Sequence, residues 1–180
     1  MKLLCWFQTR KTNYMYSFII SFIYYLFLII LQFVLSKYIS FSGIYPNFIL
    51  MFIVYNALNK GPLKGELTGF LYGLTWDILS TDIFGIRTLT FTIAGYLAGK
   101  FNKKLNKNQP LTQVIVMGIC LIVSQFGISL IYIIMPNDIN STSFELTHFV
   151  WLSVIFNLVL TPFVFKILST IDKKLNYFHN

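Results

Sequence analysis

The chain has 180 residues, 56% apolar and 18% aromatic, and only 11% are charged, which leaves too little polar surface for a water-soluble globule. It reads as an integral membrane protein. Its formal charge of +8 does not mark a nucleic-acid binder, because the Lys and Arg residues occupy short turns and tails with no nucleic-acid motif, where they orient the chain and attract anionic lipid.

A bilayer-spanning helix needs about 20 mostly apolar residues, and six segments approach that length. The first, Tyr16–Ser36, lacks a small-residue cleavage pattern and reads as a retained span, flanked by Trp6, Tyr14 and Tyr16 as interfacial anchors. The second, Ile44–Asn59, has Pro46 in its first turn, where a missing amide donor does no harm. The third is Leu63–Ser80 and the fourth Ile86–Phe101. The second and fourth are short, so each extends into its flanks, lies in a thinned region or packs tightly within a bundle. The fifth is Leu111–Met135. The sixth, Leu146–Leu168, contains Pro162, which frees a backbone carbonyl and predicts a kink, with Thr161 placed to help locally.

Charge decides the count of spans. With a cytoplasmic amino terminus and six spans, all but Lys37 and Arg87 of the 14 Lys and Arg residues fall on the cytoplasmic side. A five-span reading would put basic segments on both faces. The expected fold is therefore an all-α membrane protein: a six-transmembrane-helix bundle, both termini cytoplasmic, forming one domain over residues 1–180 with no soluble module.

Two spans carry a pattern beyond hydropathy. Gly65, Gly69, Gly73 and Asp77 recur at four-residue spacing and form one stripe on the third span, while Gly95 and Gly99 repeat the spacing on the fourth. Small residues so placed let helix backbones approach closely, either within the bundle or against a partner. Asp77 raises a separate question, since a charged side chain at the centre of a membrane helix costs about 2.5 to 3.5 kcal/mol. If the span ends near Ser80, the carboxyl lies about one turn from the surface and can accept hydrogen bonds from amides of the turn Ser80 to Gly85, or pair with Arg87, fixing the hairpin. The other reading, a proton relay, needs further ionisable groups at depth, and the sequence offers none.

Asn157, Gln125, Asn56 and Gln32 are the remaining polar side chains expected at depth, as interhelical hydrogen-bonding groups or as the lining of a polar cavity. Catalytic constellations are missing. His148 and His179 fall in different regions, no HExxH, Walker or dinucleotide glycine motif occurs, and no metal or cofactor is expected. Cys5 and Cys120 fall in a tail and a span, so no disulfide framework is expected.

Pro46, Gly65, Gly69-Phe70, Gly73-Leu74, Asp77, Phe84-Gly85, Leu89 and Gly95-Tyr96-Leu97 together resemble the MreD family of bacterial rod shape-determining membrane proteins. The specific likeness covers roughly residues 45–100, and the remainder is similar in hydropathy alone. The resemblance implies a non-catalytic member of the elongation machinery in the bacterial cytoplasmic membrane. The implied partners are MreC and, directly or indirectly, MreB, RodA and the elongation penicillin-binding protein. Family members often carry an acid after the proline of the second span, where this chain has Asn47. The family fold is also similar to the substrate-binding subunits of energy-coupling-factor vitamin transporters. That likeness supplies the rival reading, a small-molecule binder using Asp77, Asn157 and Arg87, although the bulky first span lacks the alanine-spaced docking face of such subunits. A membrane enzyme ranks third, for want of chemistry.

Overall fold

The computed structural model describes residues 46–80, 83–102, 109–134 and 145–177, together with Phe27, Ile29, Ile30, Gln32 and Val34. Five helices follow in chain order: α1 (Phe48–Lys60), α2 (Pro62–Leu79), α3 (Ile86–Lys100), α4 (Pro110–Ile134) and α5 (Glu145–Tyr177), with no strand among the described residues. They correspond to the second through sixth predicted spans. Most of the first span, both chain ends and the two longest loops lie outside the described residues.

The packing is inside-out relative to a soluble domain. Gln32, Asn56, Asp77, Thr90, Thr112, Ser124, Asn157 and Thr161 are buried, whereas large apolar side chains point outward along α2, α4 and α5. Phe126 on α4 and Phe163 on α5 are 68% and 67% exposed, and Ile115, Ile119, Ile122, Ile155 and Val159 continue the same outer surfaces. A protein surrounded by water does not leave apolar surface on this scale uncovered, whereas lipid accommodates it without loss. α4 and α5 are each long and apolar enough to cross a bilayer, over Pro110–Ile131 and Leu152–Lys173. The described residues are all helical, and their outward apolar surface suits a membrane.

α1 occupies the centre. Nine of its 13 residues are buried, and it touches each of the other four helices. At 1.5 Å per residue it is about 20 Å long, short of the ~30 Å hydrocarbon layer. Enclosure by protein explains how so short an apolar helix is kept: its neighbours, not lipid, cover it. The core around it includes Ile49, Leu50, Ile53, Val54 and Leu58 of α1 with Phe91, Ala94 and Ala98 of α3, Met117 and Cys120 of α4, and Phe165 of α5. Phe52 meets Tyr72 edge-on, with ring centroids 5.3 Å apart, and Tyr55 meets Phe165 in the same way at 5.5 Å.

Local sequence sets the helix ends. α1 begins at Phe48, later than the Ile44 expected from hydropathy, because the Asn47 side chain accepts the Leu50 amide and caps the helix. One residue, Gly61, joins α1 to α2. Its φ of 92° with ψ of 179° is a conformation for glycine alone, and Pro62 then opens α2 with its ring in the first turn. α5 continues to Tyr177, past the expected limit at Leu168. Hydropathy marks where a helix leaves the lipid, not where it stops. The Thr161 hydroxyl donates to the Asn157 carbonyl at 2.7 Å, one residue before the Leu158 carbonyl that Pro162 deprives of its usual amide partner.

Candidate functional site

α2 and α3 form an antiparallel hairpin whose backbones meet along the glycines. A Cβ at Gly65 would lie 2.6 Å from the Ala57 Cβ, one at Gly69 would lie 2.7 Å from the Phe91 carbonyl carbon, and one at Gly73 would lie 2.5 Å from the Thr88 Cα. From the opposite side, a Cβ at Gly95 would lie 2.7 Å from the Gly65 carbonyl carbon, and one at Gly99 2.5 Å from the Pro62 nitrogen. All five contacts press on backbone or on a short buried side chain, so no rotamer change could make room. The two stripes seen in the sequence are the two halves of one seam. They are spent on internal packing, and α1 closes part of the seam through Ala57 and Ile53.

The seam ends at Asp77, which is 3% exposed. Its carboxylate accepts the main-chain amides of Gly85 at 3.1 Å, Arg87 at 3.1 Å and Thr88 at 2.8 Å, and the Thr88 hydroxyl at 2.6 Å. The first turn of any helix leaves amides without intrahelical partners and carries the positive end of the helix dipole. Gly85 has no side chain with which to cap α3, and its φ of 96° turns the chain into the helix. Asp77 takes over that role from the preceding helix. The Ile86 amide reaches the Ile83 carbonyl at 3.4 Å and the Leu89 amide reaches the Gly85 carbonyl at 2.9 Å, so every amide of the turn from Gly85 to Leu89 has an acceptor. Of Arg87 it is the main-chain amide that the carboxylate holds, while the guanidinium carbon lies 5.7 Å from the centre of the Trp76 ring.

A second polar cluster surrounds the start of α1. The Gln32 side chain donates to the Pro46 carbonyl at 2.7 Å and accepts the Phe48 amide at 2.8 Å, and the Asn157 carbonyl oxygen accepts the Asn47 amide at 2.7 Å. Asn157 in turn donates to the Ser153 carbonyl at 2.7 Å. Side-chain amides of Gln32 and of Asn157 on α5 thus satisfy backbone groups at the first turn of α1, which have no partner within the helix itself. At the other end of α1 the Tyr55 hydroxyl donates to the Asp172 carboxylate at 2.9 Å, and the Asn102 amide donates to the Leu58 carbonyl at 2.5 Å. Gln125 is half-buried on α4, and the hydrogen bonds of the Asn157 side chain go to Asn47 and Ser153 instead.

This arrangement leaves little for chemistry. The buried Asp77 and Asn157 direct their polar atoms at backbone, and no group of three His, Cys, Asp or Glu residues that could hold a metal occurs among the described residues. Sequence reasoning missed Thr88, Gly61, Asn47 as a cap and the Tyr55–Asp172 pair. Asn47 carried a signal, since Asn is a favoured cap at a helix start. Nothing local pairs Tyr55 with Asp172.

Comparison with known proteins gives one result. A family model described as rod shape-determining protein MreD matches residues 11–171, and the chain belongs to this family. No curated protein and no solved structure matches it.

Proposed function

We propose that this MreD-family chain is a non-catalytic, six-span scaffold of the bacterial cytoplasmic membrane, with both termini cytoplasmic, that binds MreC within the cell-elongation machinery. Family membership places it in rod shape determination. Through MreC it would act with MreB, RodA and the elongation penicillin-binding protein in lateral peptidoglycan synthesis. The observation that carries the scaffold reading is the fate of the buried polar groups. Asp77 takes four hydrogen bonds from the start of α3 and Asn157 takes the Asn47 amide, so neither is left to recognise a solute. A ligand pocket needs a few convergent polar groups aimed into a cavity, which is what the vitamin-transporter reading would require of these same residues. Supporting the membrane placement, apolar surfaces face outward on α2, α4 and α5 while the polar groups are enclosed.

The test is purification of the tagged full chain in mild detergent, with identification of both the proteins and the small molecules that accompany it. The scaffold reading expects MreC in near-stoichiometric amount. Recovery of a stoichiometric small solute without MreC would replace it with the transporter-subunit reading.

A further inference from the structure

α1 and α3 both fall well short of the ~30 Å hydrocarbon layer, and only α1 is enclosed by its neighbours. α3, about 22 Å long, turns Leu89, Ile93 and Tyr96 outward, and α2 beside it turns out Leu67, Phe70, Leu71, Ile78 and Leu79. Charge bounds these outer walls. Lys64 and Glu66 are exposed on α2, and from Glu66 to the helix end at Leu79 is about 20 Å. On α3, Arg87 and Lys100 bracket a stretch of about the same length. A long basic side chain can lengthen such a wall by reaching outward to the interface. Lys100 does the reverse, since its ammonium lies 4.6 Å from the centre of the Tyr96 ring, one turn back toward the middle of α3. Glu66 stands at that same level, because Gly65 packs on Gly95 and Glu66 lines one groove with Tyr96. Lys64, Glu66 and Lys100 thus mark one polar edge, and the Arg87 guanidinium, 5.7 Å from the centre of the Trp76 ring, lies toward the other. α4 is the opposite case: no charge interrupts it, and its apolar stretch Pro110–Ile131 is about 33 Å long.

We propose that the chain thins the bilayer beside the α2–α3 hairpin, to a hydrocarbon layer of about 20 to 25 Å there against about 30 Å along α4. The occupant of the hairpin's outer face is then phospholipid whose acyl chains are short or compressed. Tilt fits a long helix into a thin layer, but no tilt lengthens a short one. A layer kept ~30 Å thick would bury the charges at the ends of the hairpin by about 5 Å each, and a charge in hydrocarbon costs more than a few ångströms of chain compression. The inference rests on the membrane placement within the scaffold reading and needs no partner protein.

The experiment uses the full chain, purified alone and reconstituted in vesicles of monounsaturated phosphatidylcholine with added phosphatidylglycerol. On a background of Cys5→Ser and Cys120→Ala, a spin label is placed at Leu71, near the middle of the α2 wall, or at Ile119, near the middle of α4. Phe70 and Ile122, also exposed, serve as second positions on each helix. Collision rates with oxygen and with a water-soluble nickel chelate give the depth of each label. In 18-carbon lipid, Leu71 should lie about 10 Å below the polar boundary and Ile119 about 15 Å. Lengthening the lipid to 22 carbons should deepen Ile119 and leave Leu71 nearly where it was. Equal depths that both follow chain length would overturn the thinning and leave the scaffold reading standing. A Leu71 label shielded from both oxygen and nickel would also overturn it, by showing that protein, such as a second copy of this chain, covers the hairpin. Nickel access at Ile119 as high as in water would overturn the membrane placement, and the proposed function with it.

Discussion

The α2–α3 hairpin and the collar around the start of α1 solve the same problem in opposite ways. Each must hold backbone in a medium that offers little water, and each brings acceptors to main-chain amides at the start of a helix. The hairpin does it locally. Its glycines remove side chains so that two backbones touch, and Asp77 caps the helix that follows its own after a short turn. The collar reaches across elements, with Gln32 of the preceding span and Asn157 from 110 residues away meeting amides at Phe48 and Asn47. Local contacts leave a period in the sequence, whereas distant ones leave only a polar residue in an apolar run.

The largest effect should come from filling the seam. Gly73→Leu would drive a side chain into Thr88 and Arg87 backbone, which cannot yield by a rotamer change, so the hairpin should not assemble. Overpacking costs about 1 to 3 kcal/mol and more where backbone is struck. Size-exclusion chromatography in detergent should show aggregated or degraded chain, and a monodisperse, MreC-binding variant would show that α2 and α3 do not meet along the glycines. Next is Asp77→Asn, which turns an amide nitrogen toward a row of donors and weakens three main-chain hydrogen bonds. Bonds to a charged group contribute about 1.5 to 3 kcal/mol, so a clear drop in thermal midpoint is expected even if partner binding persists. Unchanged stability would remove the carboxylate from the hairpin's structural account.

The collar should respond more mildly. Asn157→Leu removes the acceptor of the half-buried Asn47 amide and the bond to the Ser153 carbonyl, a loss of about 1 to 3 kcal/mol that thermal unfolding in detergent would read. A variant as stable as wild type would mean that α1 finds its amide partners elsewhere. The smallest effect belongs to Tyr55→Phe, which removes one hydrogen bond to Asp172 and keeps the ring against Phe165. About 1 kcal/mol is expected, and a loss as large as that of Asp77→Asn would reverse the ranking of the two regions.

How much of this was legible in the sequence follows from the same contrast. Membrane class, helix content and the limits of α2 and α3 are written in hydropathy and in the glycine spacing, because both are short-range. Asp77 stood out as an acid in an apolar run, and its three main-chain donors lie within eleven residues of it. The central position of α1 was not legible, since a short apolar segment reads alike whether lipid or protein surrounds it. Nor were the partners of Gln32 and Asn157, which depend on how the ends of the chain pack. The extension of α5 to Tyr177 was missed because Lys173 and Lys174 end the hydropathy signal while favouring continued helix.

The central claim is that the glycine seam is a closed contact between α2 and α3, and Gly69→Ala tests it most directly against Phe70→Ala, its neighbour on the exposed side. A single methyl at Gly69 would meet the Phe91 carbonyl and the Thr92 Cα, the latter at 3.0 Å, whereas Phe70 is 44% exposed. Thermal unfolding in one detergent should show a midpoint lowered by several degrees for Gly69→Ala and nearly unchanged for Phe70→Ala. Equal midpoints for Gly69→Ala and wild type would contradict the account.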